Sequence, residues 1–138
     1  MTSETLQGGC HCGDIRYEID PSNVKTVICH CTGCQKQSAS AFGLVLLMPS
    51  SQLTLIQGTP QQWTRTTDSG NIQDTFLCGT CGTRVWHGNP ATEDTIKLRA
   101  GALDTPVDVS HAIHLWTRSK LPGVVIPEGA RSFEQAPG

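Results

Sequence analysis

The chain has 138 residues, with ten Lys and Arg set against twelve Asp and Glu for a formal net charge of −2. That length suits one domain and leaves too little surface for two separate cores, and the near-neutral balance gives no electrostatic ground for nucleic acid or an anionic membrane as partner. No apolar run nears the about 18 residues that span a bilayer, and the N-terminal MTSETLQGG lacks a basic-then-apolar signal pattern, so a cytoplasmic location is expected.

Fourteen Gly and eight Pro, spread along the chain, favour short strands joined by turns and predict a mainly β fold. Asp14 to Asp20 alternates, with Ile15, Tyr17 and Ile19 on one face, as a half-buried strand does. Lys25 to Cys29 reads as a second strand that delivers a cysteine-rich loop, and Cys31 to Ser38 as a short helical turn. Phe42 to Met48 is a continuous apolar strand. Leu53 to Gln57 and Gln62 to Thr66 follow, separated by Gly58 and Pro60. Asp68-Ser69-Gly70-Asn71 is a hairpin turn leading into Ile72 to Cys78. Thr83 to His87, Thr95 to Leu98 and His111 to Trp116 bring the count to about eight or nine strands. The tail after Leu121 is rich in Pro and Gly and reads as loop.

Seven cysteines are an odd number, and in a reducing compartment they are not a disulfide framework. Their spacing is Cys10-x-Cys12, Cys29-x-Cys31-x-x-Cys34 and Cys78-x-x-Cys81. Such tight pairs aim two thiolates at one metal ion from a single turn, and the flanking Gly9, Gly13, Gly33, Gly79 and Gly82 allow the sharp backbone this needs. Seven ligands divide most naturally into a closed site of four and an open site of three. Spacing permits two versions. Cys10, Cys12, Cys78 and Cys81 can form the closed site, leaving Cys29, Cys31 and Cys34; or Cys31, Cys34, Cys78 and Cys81 can form it, leaving Cys29 beside the first pair. The first version is simpler, because it keeps each local cluster whole.

Five stretches in order carry a resemblance: GGCHCGDIRYE at Gly8 to Glu18, CHCTGC at Cys29 to Cys34, SASAF at Ser38 to Phe42, FLCGTCGT at Phe76 to Thr83 and HLWT at His114 to Thr117. Together they resemble the glutathione-dependent formaldehyde-activating enzyme family, which includes centromere protein V, over about Leu6 to Pro127. The resemblance implies a β-tent of packed short antiparallel sheets with zinc knuckles, in a single domain whose C-terminal tail is loop. It implies a structural zinc on Cys10, Cys12, Cys78 and Cys81, and a second zinc on Cys29, Cys31 and Cys34 whose fourth place is open to water or substrate. Three departures stand out. Ala39 occupies a position where the family often has glycine, Gln35 and Lys36 reduce the usual basic residues, and Gly123 lies where relatives often carry a tryptophan.

Three thiolates on Zn²⁺ leave a net charge near −1, which weakens activation of a bound water. Such a centre suits capture of a fourth thiol, held as thiolate near neutral pH. That agrees with the activity the family implies, a carbon–sulfur lyase acting on S-hydroxymethylglutathione, formed from glutathione and formaldehyde. The expected partner is therefore a small-molecule thiol such as glutathione, bound by a monomer or homodimer. A non-catalytic zinc β-domain, binding a small thiol or a protein, is the alternative. His30 and His11 each lie between two cysteines, so their side chains point away from the metal. His87, His111 and His114 are read as packed or hydrogen-bonded residues, and no general base stands out. Trp63, Trp86 and Trp116 are read as core, one of them a candidate pocket wall. Ser38 and Ser40 are candidates for hydrogen bonds near the second cluster or for turn formation.

Overall fold

The structure is a computed structural model and describes residues 4–67 and 69–136. Ten strands and one short α-helix alternate with turns: β1 Leu6–Gly9, β2 Arg16–Ile19, β3 Lys25–Cys29, α1 Thr32–Ser38, β4 Gly43–Pro49, β5 Leu53–Gln57, β6 Gln61–Thr66, β7 Ile72–Leu77, β8 Arg84–His87, β9 Thr95–Arg99 and β10 Ile113–Leu115. They form a three-stranded sheet, β1-β2-β5, and a seven-stranded sheet, β10-β3-β4-β9-β8-β7-β6. Every named pairing is antiparallel except β10 beside β3, which is parallel. The mainly β expectation holds: the small sheet is antiparallel, and the large one is mixed only through β10 at its edge.

Side-chain alternation decides where the core and the site lie. On β4, Leu44, Leu46 and Met48 face the core shared with the small sheet, while Val45 and Leu47 line a cavity on the opposite face. On β9 the same rule sends Ile96 and Leu98 to the core, and Thr95, Lys97 and Arg99 to the cavity. The register carries this across the sheet: Leu47 pairs with Lys97, Lys97 with His87, and His87 with Thr75. Buried Ile15, Tyr17 and Ile19 from the small sheet close the core, with Tyr17 edge-on to Trp86 at 5.8 Å between ring centroids. Each large apolar side chain withdrawn in this way contributes about 1.5–3 kcal/mol of transfer free energy.

Strand β1 carries the sequence LQGG, which lacks the apolar alternation of a strand. Its glycines answer to close packing instead. A Cβ on Gly8 would stand 2.6 Å from the Tyr17 hydroxyl, and one on Gly9 would overlap the backbone oxygen of Ile15. Of the predicted hairpin turn, Asp68 lies outside the described residues; across it, Thr67 N–H donates to the Asn71 carbonyl and Gly70 N–H to the Thr67 carbonyl, each at 2.8 Å. The C-terminal tail is loop, yet it is tied down: His114 N–H donates to Arg131 O and Phe133 N–H to His114 O, each at 2.9 Å. Trp86 is core at 3% exposed, whereas Trp63 lies 49% exposed on edge strand β6 with the Arg84 guanidinium 5.9 Å from its ring.

Helix α1 ends at Ala39, whose φ of 49° and ψ of 42° are left-handed, with its N–H donating to Lys36 O. A Cβ in that region is strained by about 1 kcal/mol, a penalty that glycine escapes. Ala39→Gly is therefore expected to raise the melting temperature by a few degrees, the gain being reduced by the extra freedom glycine gives the unfolded chain. Thermal unfolding of the zinc-loaded protein checks this, and a lower melting temperature would contradict it.

Candidate metal centres and the cavity between the strands

Cys10 and Cys12 leave the turn between β1 and β2, and Cys78 and Cys81 the turn between β7 and β8. These four sulfurs lie within 4.8 Å of one another, so they could hold a metal ion. Cys10 and Cys12 Sγ are 3.6 Å apart, and Cys12 and Cys78 Sγ 3.7 Å. A regular tetrahedron with Zn–S bonds of about 2.3 Å has edges of about 3.8 Å, so the spacing fits that ion. Backbone donors serve the sulfurs: Ile15 N–H reaches Cys10 Sγ at 3.2 Å, and the N–H groups of Thr80 and Cys81 reach Cys78 Sγ at 3.4 Å. The Thr83 hydroxyl, 3.2 Å from Cys81 Sγ, leads the contacts that hold that thiol down at about 5. Gly82, at φ +82°, makes the tight return after Cys81.

Cys29, Cys31 and Cys34 form the second group, with their sulfurs also within 4.8 Å. They come from three different local settings. Cys29 ends β3, Cys31 caps α1 by accepting from Cys34 N–H at 3.3 Å, and Cys34 sits in the first turn of that helix. Thiols this close compete for protons. Cys29 and Cys34 push Cys31 down to about 2, and Cys31 and Cys34 in turn push Cys29 up. All three can ionise together only with a cation between them. The chain thus brings its seven sulfurs together as four and three, the first of the two groupings the spacing permits.

The second group opens on a cavity of about 640 Å³, within the range of small-molecule sites. Arg99 is part of its wall and only 8% exposed. Burial pulls its pKa below the ordinary value, and the neighbouring Cys34 thiolate works in the opposite direction. The space for its guanidinium exists because Gly43 has no side chain: a Cβ there would stand 3.1 Å from Arg99 Nη1 and 3.2 Å from Cys34 Cβ. Trp116 lines the cavity too, while Trp63 does not.

The histidines divide clearly. His30 is fully buried and turned from the cysteines toward His114, with its Nε2 2.9 Å from His114 Nδ1 and the two rings stacked. His11 and His111 are exposed. His87 is the histidine that lines the cavity, and burial first, then Arg99, Lys97, Arg65 and Arg84, hold its pKa down to about 3. It is therefore neutral at ordinary pH and a poor base. The unfolded chain, with a histidine pKa of about 6.5, takes up that proton first. Stability from this residue is full above about pH 6.5 and is lost as pH falls toward 3, by about 1.4 kcal/mol per pH unit. His87→Gln should flatten the decline of melting temperature between pH 6.5 and 4.5 relative to wild type. Parallel curves for the two proteins would contradict this.

With this geometry in hand, a family model described as glutathione-dependent formaldehyde-activating enzyme matches residues 5–119. The chain belongs to that family. A crystal structure of a Rhodobacter sphaeroides protein resembles it with a TM-score of 0.59, covering 79% of this chain and 99% of the other. At 18% identity that likeness speaks for the fold alone. The family motifs lead to all seven cysteines, but not to Arg65, Lys97 and Arg99 on the cavity wall. One signal for two of them was present. The alternation in TIKLR, Thr95 to Arg99, places Lys97 and Arg99 on the face opposite Ile96 and Leu98.

Proposed function

We propose that the chain is a zinc-dependent protein of the carbon–sulfur lyase type, acting on the adduct of a small-molecule thiol, such as glutathione, with a small aldehyde, such as formaldehyde. In this reading Cys10, Cys12, Cys78 and Cys81 hold a structural zinc, and Cys29, Cys31 and Cys34 a second one. The observation that carries it is a cluster of three cysteine sulfurs, one short of a tetrahedral set, on the wall of a ligand-sized cavity. Zinc bound there would supply a place where a fourth thiol is held as thiolate near neutral pH. The chain does the rest. Cys31 Sγ is oriented by the Cys34 N–H, Arg99 offsets part of the negative charge of Cys34 and Cys29, and Val27, Val45 and Leu47 supply an apolar part of the cavity wall.

A non-catalytic carrier of small thiols needs the same site. One observation favours that second reading: His87, the histidine on the cavity wall, is too acidic to take a proton from substrate near neutral pH. Adduct formation faster than the spontaneous reaction separates an enzyme from a carrier.

Glutathione should bind the zinc-loaded protein and fail to bind a folded Cys34→Ser variant. Its affinity should rise with pH toward the free thiol's pKa, because binding releases that proton. Calorimetry at several pH values measures both effects. Affinity unchanged after the weaker zinc is stripped would overturn the proposal.

A further inference from the structure

The cavity carries a charge that the composition hides. The whole chain has a formal net charge of −2, yet Arg65, Lys97 and Arg99 all line this one space. None of them is in an ion pair among the described residues, where the one such pair is Arg16 with Asp104. Among the described residues Glu93 is the carboxylate on the wall, and its Oε2 accepts from Asn89 N–H at 2.6 Å. Arg65 uses its Nε on Gln73 Oε1 at 3.2 Å, and its Nη1 lies 2.8 Å from where a Cβ on Gly33 would stand, beside the cysteine helix. Arg99 Nη1 is buried with no hydrogen-bond partner among the described residues. Arg99 stands beside the cysteine sulfurs, which leaves Arg65 and Lys97 as cavity cations with no ion-pair partner among the described residues, and such a pair suits an anionic ligand.

The exposure of the three is graded. Arg99 is buried against Cys34, Arg65 is half-buried and Lys97 is exposed. Lys97 and Arg99 point the same way from β9, so their backbone positions are about 7 Å apart. We propose that Arg65 and Lys97 are specificity-determining residues that bind the carboxylates of a thiol ligand whose sulfur faces Cys29, Cys31 and Cys34. The cavity then selects acidic thiols over neutral ones of the same size. This inference rests on the thiol-binding reading above, but it assigns residues which that reading leaves open.

The test uses calorimetry on the zinc-loaded full chain with three probes: glutathione, glutathione with both carboxylates esterified, and S-methylglutathione, which keeps the carboxylates and has no free thiol. Glutathione should bind at least tenfold more tightly than its diester. Lys97→Gln and Arg65→Gln should each weaken glutathione severalfold and leave the diester unchanged, with zinc content and melting temperature as checks on folding. If Arg65→Gln does not fold, Lys97→Gln alone decides. Equal binding of glutathione and its diester would overturn the charge selection and leave metal-held thiol standing. S-methylglutathione binding as tightly as glutathione, and weakened by Lys97→Gln, would support the charge selection and sink the metal-held thiol. No binding by any probe would overturn both.

Discussion

Cys78→Ser is expected to give a chain that does not fold, while Cys29→Ser is expected to fold and to lose one metal ion. The difference lies in what each cluster joins. Cys12 and Cys78 sit 3.7 Å apart in space and 66 residues apart in sequence, and they tie the turn of the small sheet to the turn between β7 and β8. Structural zinc in small domains contributes about 10 kcal/mol or more of apparent binding free energy. That is comparable with the whole stability of a domain, about 5–15 kcal/mol. The second cluster joins only the end of β3 to the first turn of α1, so its loss leaves the sheets paired. Circular dichroism and zinc analysis of the two variants check this. Equal destabilisation would contradict the division into a structural and an open site.

Gly9→Ala is expected to destabilise the protein by about 3 kcal/mol, lowering the melting temperature by roughly 10 °C. The added methyl would overlap the backbone oxygen of Ile15. That oxygen accepts from Cys10 N–H at 3.1 Å, and Ile15 N–H in turn serves Cys10 Sγ. The strain therefore falls on the knuckle itself, and zinc at the four-cysteine cluster should weaken with it. Gly101→Ala is the control, since its Cβ would meet nothing within 4 Å. A melting temperature within a degree or two of wild type for Gly9→Ala would show that the small sheet gives way easily.

The elements with local signals were legible in the sequence. Alternation marks β2, the apolar run marks β4, and the C-x-C and C-x-x-C spacings mark all seven metal-binding candidates. Residues whose role depends on distant partners were not. Strand β1 is half glycine, and the reason lies in Tyr17 and Ile15 on the next strand. Strand β10 pairs in parallel with β3 from more than eighty residues away, a placement that no local pattern announces. Trp63 has the composition of a core residue but sits on an edge strand, where half of its surface stays open. Arg65 and Lys97 line one cavity because β6 and β9 belong to one sheet and turn the same face to it.

The central claim is that the three-cysteine cluster holds zinc with one place for a thiol. Zinc X-ray absorption of the loaded protein, with and without glutathione, tests it most directly. Seven cysteine sulfurs shared by two zinc ions give a mean of 3.5 sulfur ligands per metal. Capture of one thiol raises that mean to about 4 and removes the remaining oxygen or nitrogen contribution. A sulfur count that stays at 3.5 with glutathione bound would contradict the claim.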